Sequence, residues 1–182
     1  MNIIFSMAGL YSRFKIAGYK EPKYLLKNSK GKTILEMVVD NILSSFDFAN
    51  ILFVANSRDI VFKSEINKCI HDYKNTSVIF VDDTDGQAHT VKIGIDFLKS
   101  ELKDFNKKLI VHNIDTILLG RDFNEINEFL DNYDGVIDVI ISEYAGYSYV
   151  SLNNQGLINE IAEKKVISNF ATTGMYCFSN YN

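Results

Sequence analysis

Apolar residues in the first two thirds of the chain fall into short continuous runs, and between these runs they recur every three or four positions. The runs at 2–6, 51–55, 77–82 and 108–112 are rich in β-branched and aromatic residues and read as buried strands. The segments at 33–46, 58–73, 88–103 and 121–133 carry helical spacing. Alternation of this kind predicts βαβ crossovers and a parallel sheet. From residue 135 the pattern turns to β, with strand-like runs at 135–144, 147–152, 156–161 and 171–178. Asn153-Asn154-Gln155-Gly156 between two of these is a hairpin signal. The expected fold class is therefore α/β, a mixed and mostly parallel sheet with a β-rich C-terminal part. No repeat, linker or low-complexity segment divides the chain, so residues 1–182 are expected to form a single domain.

Composition narrows the function classes. With 182 residues, 47% hydrophobic and 23% charged, the chain can bury a sizeable core. Its net charge of −4 argues against a basic surface for nucleic acid or membrane, yet Arg13, Lys15, Lys20 and Lys23 lie together in one early segment. An acidic chain with one basic loop suits a small anionic ligand. Cys69 and Cys177 are far apart, and no apolar run reaches membrane-spanning length, so reduced thiols and a cytoplasmic setting are expected.

Ligands of open α/β sheets bind outside the carboxyl ends of the strands, and the residues with chemical potential all follow a strand end. After the first strand come Met7-Ala8-Gly9-Leu10-Tyr11-Ser12-Arg13-Phe14. Ala8 and Gly9 let backbone approach a ligand, the loop N–H groups can face phosphate oxygens, and Arg13 presents a planar fork of donors. Pro22-Lys23 adds a point charge on a loop stiffened by the chain's single proline. After the third strand, Asp85-Gly86-Gln87-Ala88 turns into a helix, with Gly86 able to admit a planar base and Gln87 able to read it through its amide. Taken alone, this segment also reads as a plain capped turn. After the fourth strand, His112-Asn113-Ile114-Asp115 ends in a carboxylate suited to Mg²⁺, which takes few protein carboxylates and prefers oxygen.

These segments resemble the nucleotidyltransferases that make nucleotide-diphospho-sugars, in which A-G-x-G-S/T-R-F/L is followed by K-P-K. The resemblance continues through Gly86, Ala88 and Thr90 in the base-contacting turn and through Asn113 and Asp115 in a G/N-x-D motif. It reaches Glu163 and Lys164, then Ser168, Asn169, Ala171, Gly174, Tyr176 and Phe178, in the order of E-K-P, S-N and A-x-x-G-x-Y-x-F. It implies a three-layer Rossmann-like (GT-A-like) nucleotide-diphospho-sugar transferase fold. It also implies an Mg²⁺-dependent transfer of the nucleoside monophosphate of a nucleoside triphosphate to a phosphorylated acceptor. A sugar-1-phosphate is the default acceptor, for surface polysaccharide precursors. By this likeness Arg13 and Lys23 are catalytic, and Ala8, Gly9, Leu10, Tyr11, Ser12, Arg13, Lys23, Asp85, Gly86, Gln87 and Ala88 hold the nucleotide. Asn113, Glu163, Lys164 and Gly174 hold the acceptor, and Asp115 binds the metal. Partners are then the nucleoside triphosphate and a phosphorylated small molecule, with no nucleic acid or membrane and with homo-oligomer formation left open.

Three departures mark this chain. Tyr11 stands at the motif's second Gly, which implies either a different turn or a ring against the nucleotide. Lys165 replaces the Pro of E-K-P and Glu21 the first Lys of K-P-K, leaving room for a non-sugar acceptor of the cytidylyltransferase kind. A second metal-binding Asp or Asn has no counterpart before Asn182, giving the expectation that the domain is truncated at its C-terminus, with Asp82, Asp83 and Asp85 as the alternative ligands. Two rival readings stay open. Asp83-Thr84-Asp85 matches the D-x-D of a GT-A glycosyltransferase, and a non-catalytic nucleotide-binding module would need no second metal ligand.

Overall fold

The first strand, β1 (Asn2–Ser6), is apolar on both faces, and Ile3, Ile4 and Phe5 have no exposed surface. That pattern suits a strand with neighbours on both edges and layers on both faces, and β1 pairs in parallel with β2 (Ile51–Asn56) and with β4 (Leu109–Asn113). The computed structural model describes residues 1–103 and 107–181. β3 (Thr76–Val81) joins the outer edge of β2, also in parallel. Successive residues of β1 then serve opposite cores. Ile3 and Phe5 join Phe53 and Ile110 in the larger cluster, beneath α2 (Ile34–Leu43), α3 (Lys63–Ile70) and α5 (Phe123–Asn132). Ile4 joins Leu52, Val54 and Val111 in the smaller one, beneath α4 (Gln87–Ser100). Each fully buried side chain of this size contributes about 1.5–3 kcal/mol, so the three layers are fixed by the alternation within the strands.

α4 lies unusually close to the sheet. A Cβ at Gly94 would come within 3.1 to 3.3 Å of Ile4, Val54 and Leu52, which accounts for a glycine in a helix interior at a propensity cost of about 1 kcal/mol. α2 begins with a capping box, Thr33 accepting from the Glu36 N–H while Glu36 accepts from the Thr33 N–H.

The C-terminal part adds antiparallel strands to the same sheet, in the order β3-β2-β1-β4-β8-β6-β7 with β5 also on β8. These are β5 (Gly135–Ile141), β6 (Tyr149–Leu152), β7 (Ile158–Ala162) and β8 (Phe170–Phe178). β8 pairs with β5 along one edge, while its other edge pairs with β6 at Phe170 and Ala171 and with β4 from Met175 to Phe178. Gly174, at φ 88°, lies where that edge passes from one partner to the next. The hairpin signal holds: the Asn153 N–H donates to the Leu157 carbonyl at 2.8 Å and closes the turn between β6 and β7.

The sheet is thus parallel at its core and antiparallel in its C-terminal third, as the hydrophobic pattern led one to expect. Two local readings need correction. The helical stretch at 58–73 is divided: a 3-10 turn, Ser57–Phe62, precedes α3, and it places Asp59 wholly in the interior. The loop after β1 contains a five-residue helix, α1 (Ser12–Ile16), with no buried residue and hence no apolar stripe to announce it.

His112, in the middle of the sheet, has no exposed surface and packs edge-on against Phe5. Neither ring nitrogen makes a well-formed hydrogen bond among the described residues. Burial lowers its pKa from 6.5 to about 4, with the nearby Asn113 backbone, Asp115 and Asp138 pulling only weakly the other way. The unfolded chain therefore binds a proton that the folded chain refuses between those values, and stability falls as pH drops through that window. From pH 7.5 to 5 the expected loss is about 2 kcal/mol. Denaturant unfolding at the two pH values should show it, and His112→Leu should remove most of the difference.

Candidate functional site

The parallel core brings the strand ends to one edge, and there a cavity of about 490 Å³ opens. Ser6 to Leu10 form one wall after β1, Asp83 to Gln87 with Thr90 form a second at the start of α4, and Asn113 to Asp115 form a third after β4. Lys23 completes the lining from the 3-10 turn Lys23–Leu25. A Cβ at Gly9 or Gly86 would meet nothing within 4 Å, so both backbones face open space, and Gly86 holds a φ of 140° that L side chains avoid. Gly86 is also the N-cap of α4 and brings no capping side chain, which leaves the positive end of a 14-residue helix at this wall.

Lys23 Nζ and Asp115 Oδ2 stand 2.6 Å apart, joining the basic turn after Pro22 to the end of β4. Gln87 does not point into unpaired space. Its amide donates to Asn113 Oδ1 at 2.8 Å, which ties the base-side turn to the β4 end. Asn113 in turn lies over Gly174, where a Cβ would collide with the Asn113 carboxamide. Thr90 accepts from Thr84 at 2.7 Å and donates to the Gly86 carbonyl at 3.2 Å, bracing the turn from within.

Of the residues singled out from sequence, Ala8, Gly9, Leu10, Lys23, Asp85, Gly86, Gln87, Asn113 and Asp115 line this one cavity. Ser12 and Arg13 are exposed on α1, outside its lining. Ala88 faces a neighbouring, more apolar cavity between α4 and β8. Glu163 and Lys164, just after β7, are exposed and paired with each other at 2.7 Å, which holds the Glu163 carboxyl below its usual range.

Tyr11 has its ring engaged by protein groups. Its backbone is left-handed, φ 38° and ψ 36°, at a cost of roughly 1–2 kcal/mol for an L residue. Its ring lies under the Lys15 ammonium and its hydroxyl donates to Asp59 at 2.6 Å. Burial, then the Asp59 contact, raises its pKa to about 12. Sequence reasoning missed Asp59, and with it Tyr24 and Arg58. Arg58 pairs with Asp83, which also accepts from Asn56 at 3.0 Å. The signal was available: Asn56 to Asp59 follow a parallel strand end just as the chosen segments do, but helical spacing masked them.

For a metal, the donor set is thin. Among the described residues no group of three or more His, Cys, Asp or Glu side chains is arranged to hold one. Asp83 is engaged by Arg58 and Asn56, and Asp85 is almost fully exposed beside His89. Asp115, less than half exposed and with one oxygen outside the Lys23 contact, fits a Mg²⁺ that takes most of its ligands from phosphate and water.

Residues 14–181 match the model of the family described as nucleotidyl transferase. The chain belongs to the nucleotidyl transferase family. A nucleoside-diphosphate-sugar pyrophosphorylase from Vibrio cholerae RC9 shares 27% identity with it at a TM-score of 0.80, over the whole of this chain and 74% of that one. A glucose-1-phosphate thymidylyltransferase (so described) from Bacillus anthracis, at 19% identity and a TM-score of 0.78, is covered over 70% of its length by 97% of this chain. A UDP-glucose pyrophosphorylase complexed with UDP-glucose, at 16% identity and a TM-score of 0.71, is covered over 75% by 98% of this chain. The last two show the same fold. No curated protein matches the chain. This nucleotidyltransferase has no helix, among its described residues, long and apolar enough to cross a membrane.

Gly174→Ala tests the stacking of β8 beneath Asn113. A Cβ there meets both an unfavourable φ and the Asn113 side chain, for an expected loss of about 1–3 kcal/mol. Thermal unfolding should show a melting temperature lower by roughly 2–12 °C, at about 2–4 °C per kcal/mol for a chain of this size.

Proposed function

We propose that this chain joins the nucleoside monophosphate of a nucleoside triphosphate to a phosphorylated acceptor, a sugar-1-phosphate by default, and releases pyrophosphate. The observation that carries the reading is the 2.6 Å Lys23–Asp115 pair in a cavity otherwise walled by the small-residue turns after β1 and before α4. An acceptor phosphate oxygen attacks the α-phosphorus in line, and the bond from that phosphorus to the α–β bridging oxygen breaks, the oxygen leaving with pyrophosphate. The nucleophile is already an anion, so no general base is required. What the protein must supply is position and positive charge.

Lys23 is assigned to the α-phosphate, where charge develops. Arg13, exposed beyond the cavity wall, is assigned to the β- and γ-phosphates. Ala8 to Ser12 and Asp85 to Ala88 are assigned to the nucleotide, with Gly86 and Ala8 against the nucleoside. Asn113 and Gly174 are assigned to the acceptor, with Glu163 and Lys164 reaching it from the β7 end. Mg²⁺, when bound, neutralises phosphate charge, and Asp115 is the residue that would hold it. The product would serve as a precursor for surface polysaccharide.

A second reading, transfer to a non-sugar phosphorylated acceptor in cytidylyltransferase style, is favoured by one observation: Glu163 and Lys164 satisfy each other outside the cavity. The glycosyltransferase reading loses support because Asp83 of Asp83-Thr84-Asp85, though it lines the cavity, is already engaged by Arg58 and Asn56.

Pyrophosphate release, measured with Mg²⁺, each of CTP, UTP, dTTP and GTP, and either a sugar-1-phosphate or a phosphorylated amino alcohol, tests the proposal and separates the two acceptors. No release with any combination would overturn it in favour of a binding module. Lys23→Ala and Arg13→Ala are each expected to slow release about a hundredfold or more, on the order of 3 kcal/mol, with the melting temperature little changed. Full activity in the Lys23 variant would remove the role assigned to it.

Asp115→Asn, nearly isosteric and at a partly exposed strand end, should abolish Mg²⁺-dependent release while leaving the circular dichroism spectrum intact. Retention of Mg²⁺-dependent turnover in that variant would shift the metal to Asp83 or Asp85.

A further inference from the structure

Tyr11 keeps a left-handed backbone conformation at the point of its loop where the family motif places its second glycine. Such an outlier persists only where surrounding contacts over-determine it. The contact here is a buried carboxylate shared by two tyrosines. Tyr11 donates to Asp59 Oδ1 at 2.6 Å, and Tyr24 donates to Asp59 Oδ2 at 2.9 Å. Asp59 and Tyr24 have no exposed surface, so the Tyr24 bond forms away from competing water, while the Tyr11 bond is partly shielded from it. The three residues come from three separate segments, Asp59 lying 48 positions from Tyr11 and 35 from Tyr24. Tyr11 caps α1, two residues before Arg13, and Tyr24 directly follows Lys23. Each oxygen of one carboxylate thus secures a backbone that carries one of the two basic groups.

We propose that Asp59 is a positioning residue for nucleotidyl transfer: by accepting from Tyr11 and Tyr24 at once, its carboxylate fixes the spacing between the Arg13 loop and the Lys23 turn. The proposal rests on the reading of those two side chains as phosphate-binding. A misplacement of about 1 Å between groups that must act together on one triphosphate can cost about a hundredfold in rate, so a tether of this kind bears on turnover without touching substrate.

The experiment uses the full chain and three variants, Asp59→Asn, Tyr11→Phe and Tyr24→Phe. Hydrogen exchange is followed over residues 7–14 and 22–26, and kcat and KM are taken from pyrophosphate release. Tyr11→Phe is expected to speed exchange over 7–14 alone, Tyr24→Phe over 22–26 alone, and Asp59→Asn over both together. In Tyr11→Phe, kcat should fall about tenfold while KM for the nucleoside triphosphate changes less than threefold. Both phenylalanine variants keep ring volume, so they carry the test even where Asp59→Asn does not fold. Unchanged exchange in both segments would overturn the proposal. So would a variant with a lowered melting temperature but parental kcat, the signature of a merely structural role. If the parent protein releases no pyrophosphate, the functional reading fails, while the exchange pattern alone decides whether Asp59 ties the two segments.

Discussion

Everything at the cavity depends on the parallel register of three strands. Ser6 at the end of β1 lies opposite Val54 of β2 and Asn113 of β4, so three chain segments far apart in sequence must emerge at one edge of the sheet. Parallel pairing forces this, because each return crosses over on a helix and restarts from the far edge. The hydrophobic pattern that buries Ile3, Ile4 and Phe5 is therefore also the reason that Ala8, Lys23 and Asp115 can act on a common ligand. A slip of one residue in β1 would exchange its two cores and carry the loop to the wrong height.

Electrostatics then sets the character of the edge. Lys23 and Asp115 neutralise each other, Asp83 is matched by Arg58, and Asp85 lies beside His89. The unliganded site holds opposite charges close together rather than a bare basic patch, which is consistent with a chain of net charge −4. A triphosphate bound as proposed would exchange partners more than it adds them, and the uncapped N-terminus of α4 would offer it further positive potential.

The core of this arrangement was legible in the sequence because continuous apolar runs and small-residue turns are local signals. Lys23, Gly86 and Asp115 could be placed at one edge from strand ends alone. What escaped was non-local. Asp59 reads as a solvent-facing helical residue until Tyr11 and Tyr24 are folded against it, and nothing in its neighbourhood of sequence says that two hydroxyls will arrive. Arg13 sits on a helix too short and too exposed to leave a periodic trace. The pairing of Glu163 with Lys164 depends on side-chain reach after an edge strand, which a motif order does not encode.

Gly94 carries a consequence for how the two sides of the cavity can respond to a ligand. With Ile4, Leu52 and Val54 pressed against its Cα position, α4 has no slack in which to rock, and the turn at Gly86 two helical turns earlier inherits the stiffness of the sheet. The wall after β1 is held differently: Met7 and Ala8 are buried in the two cores and Tyr11 is tied to Asp59, while α1 beyond them buries none of its residues. The site is therefore built like a vice, one jaw set by packing against the sheet and the other by a hydrogen-bond tether. For a nucleotide bound as proposed, differences in size would be taken up beyond the tether, at the exposed α1, while the face set by α4 would be the reference against which they are measured.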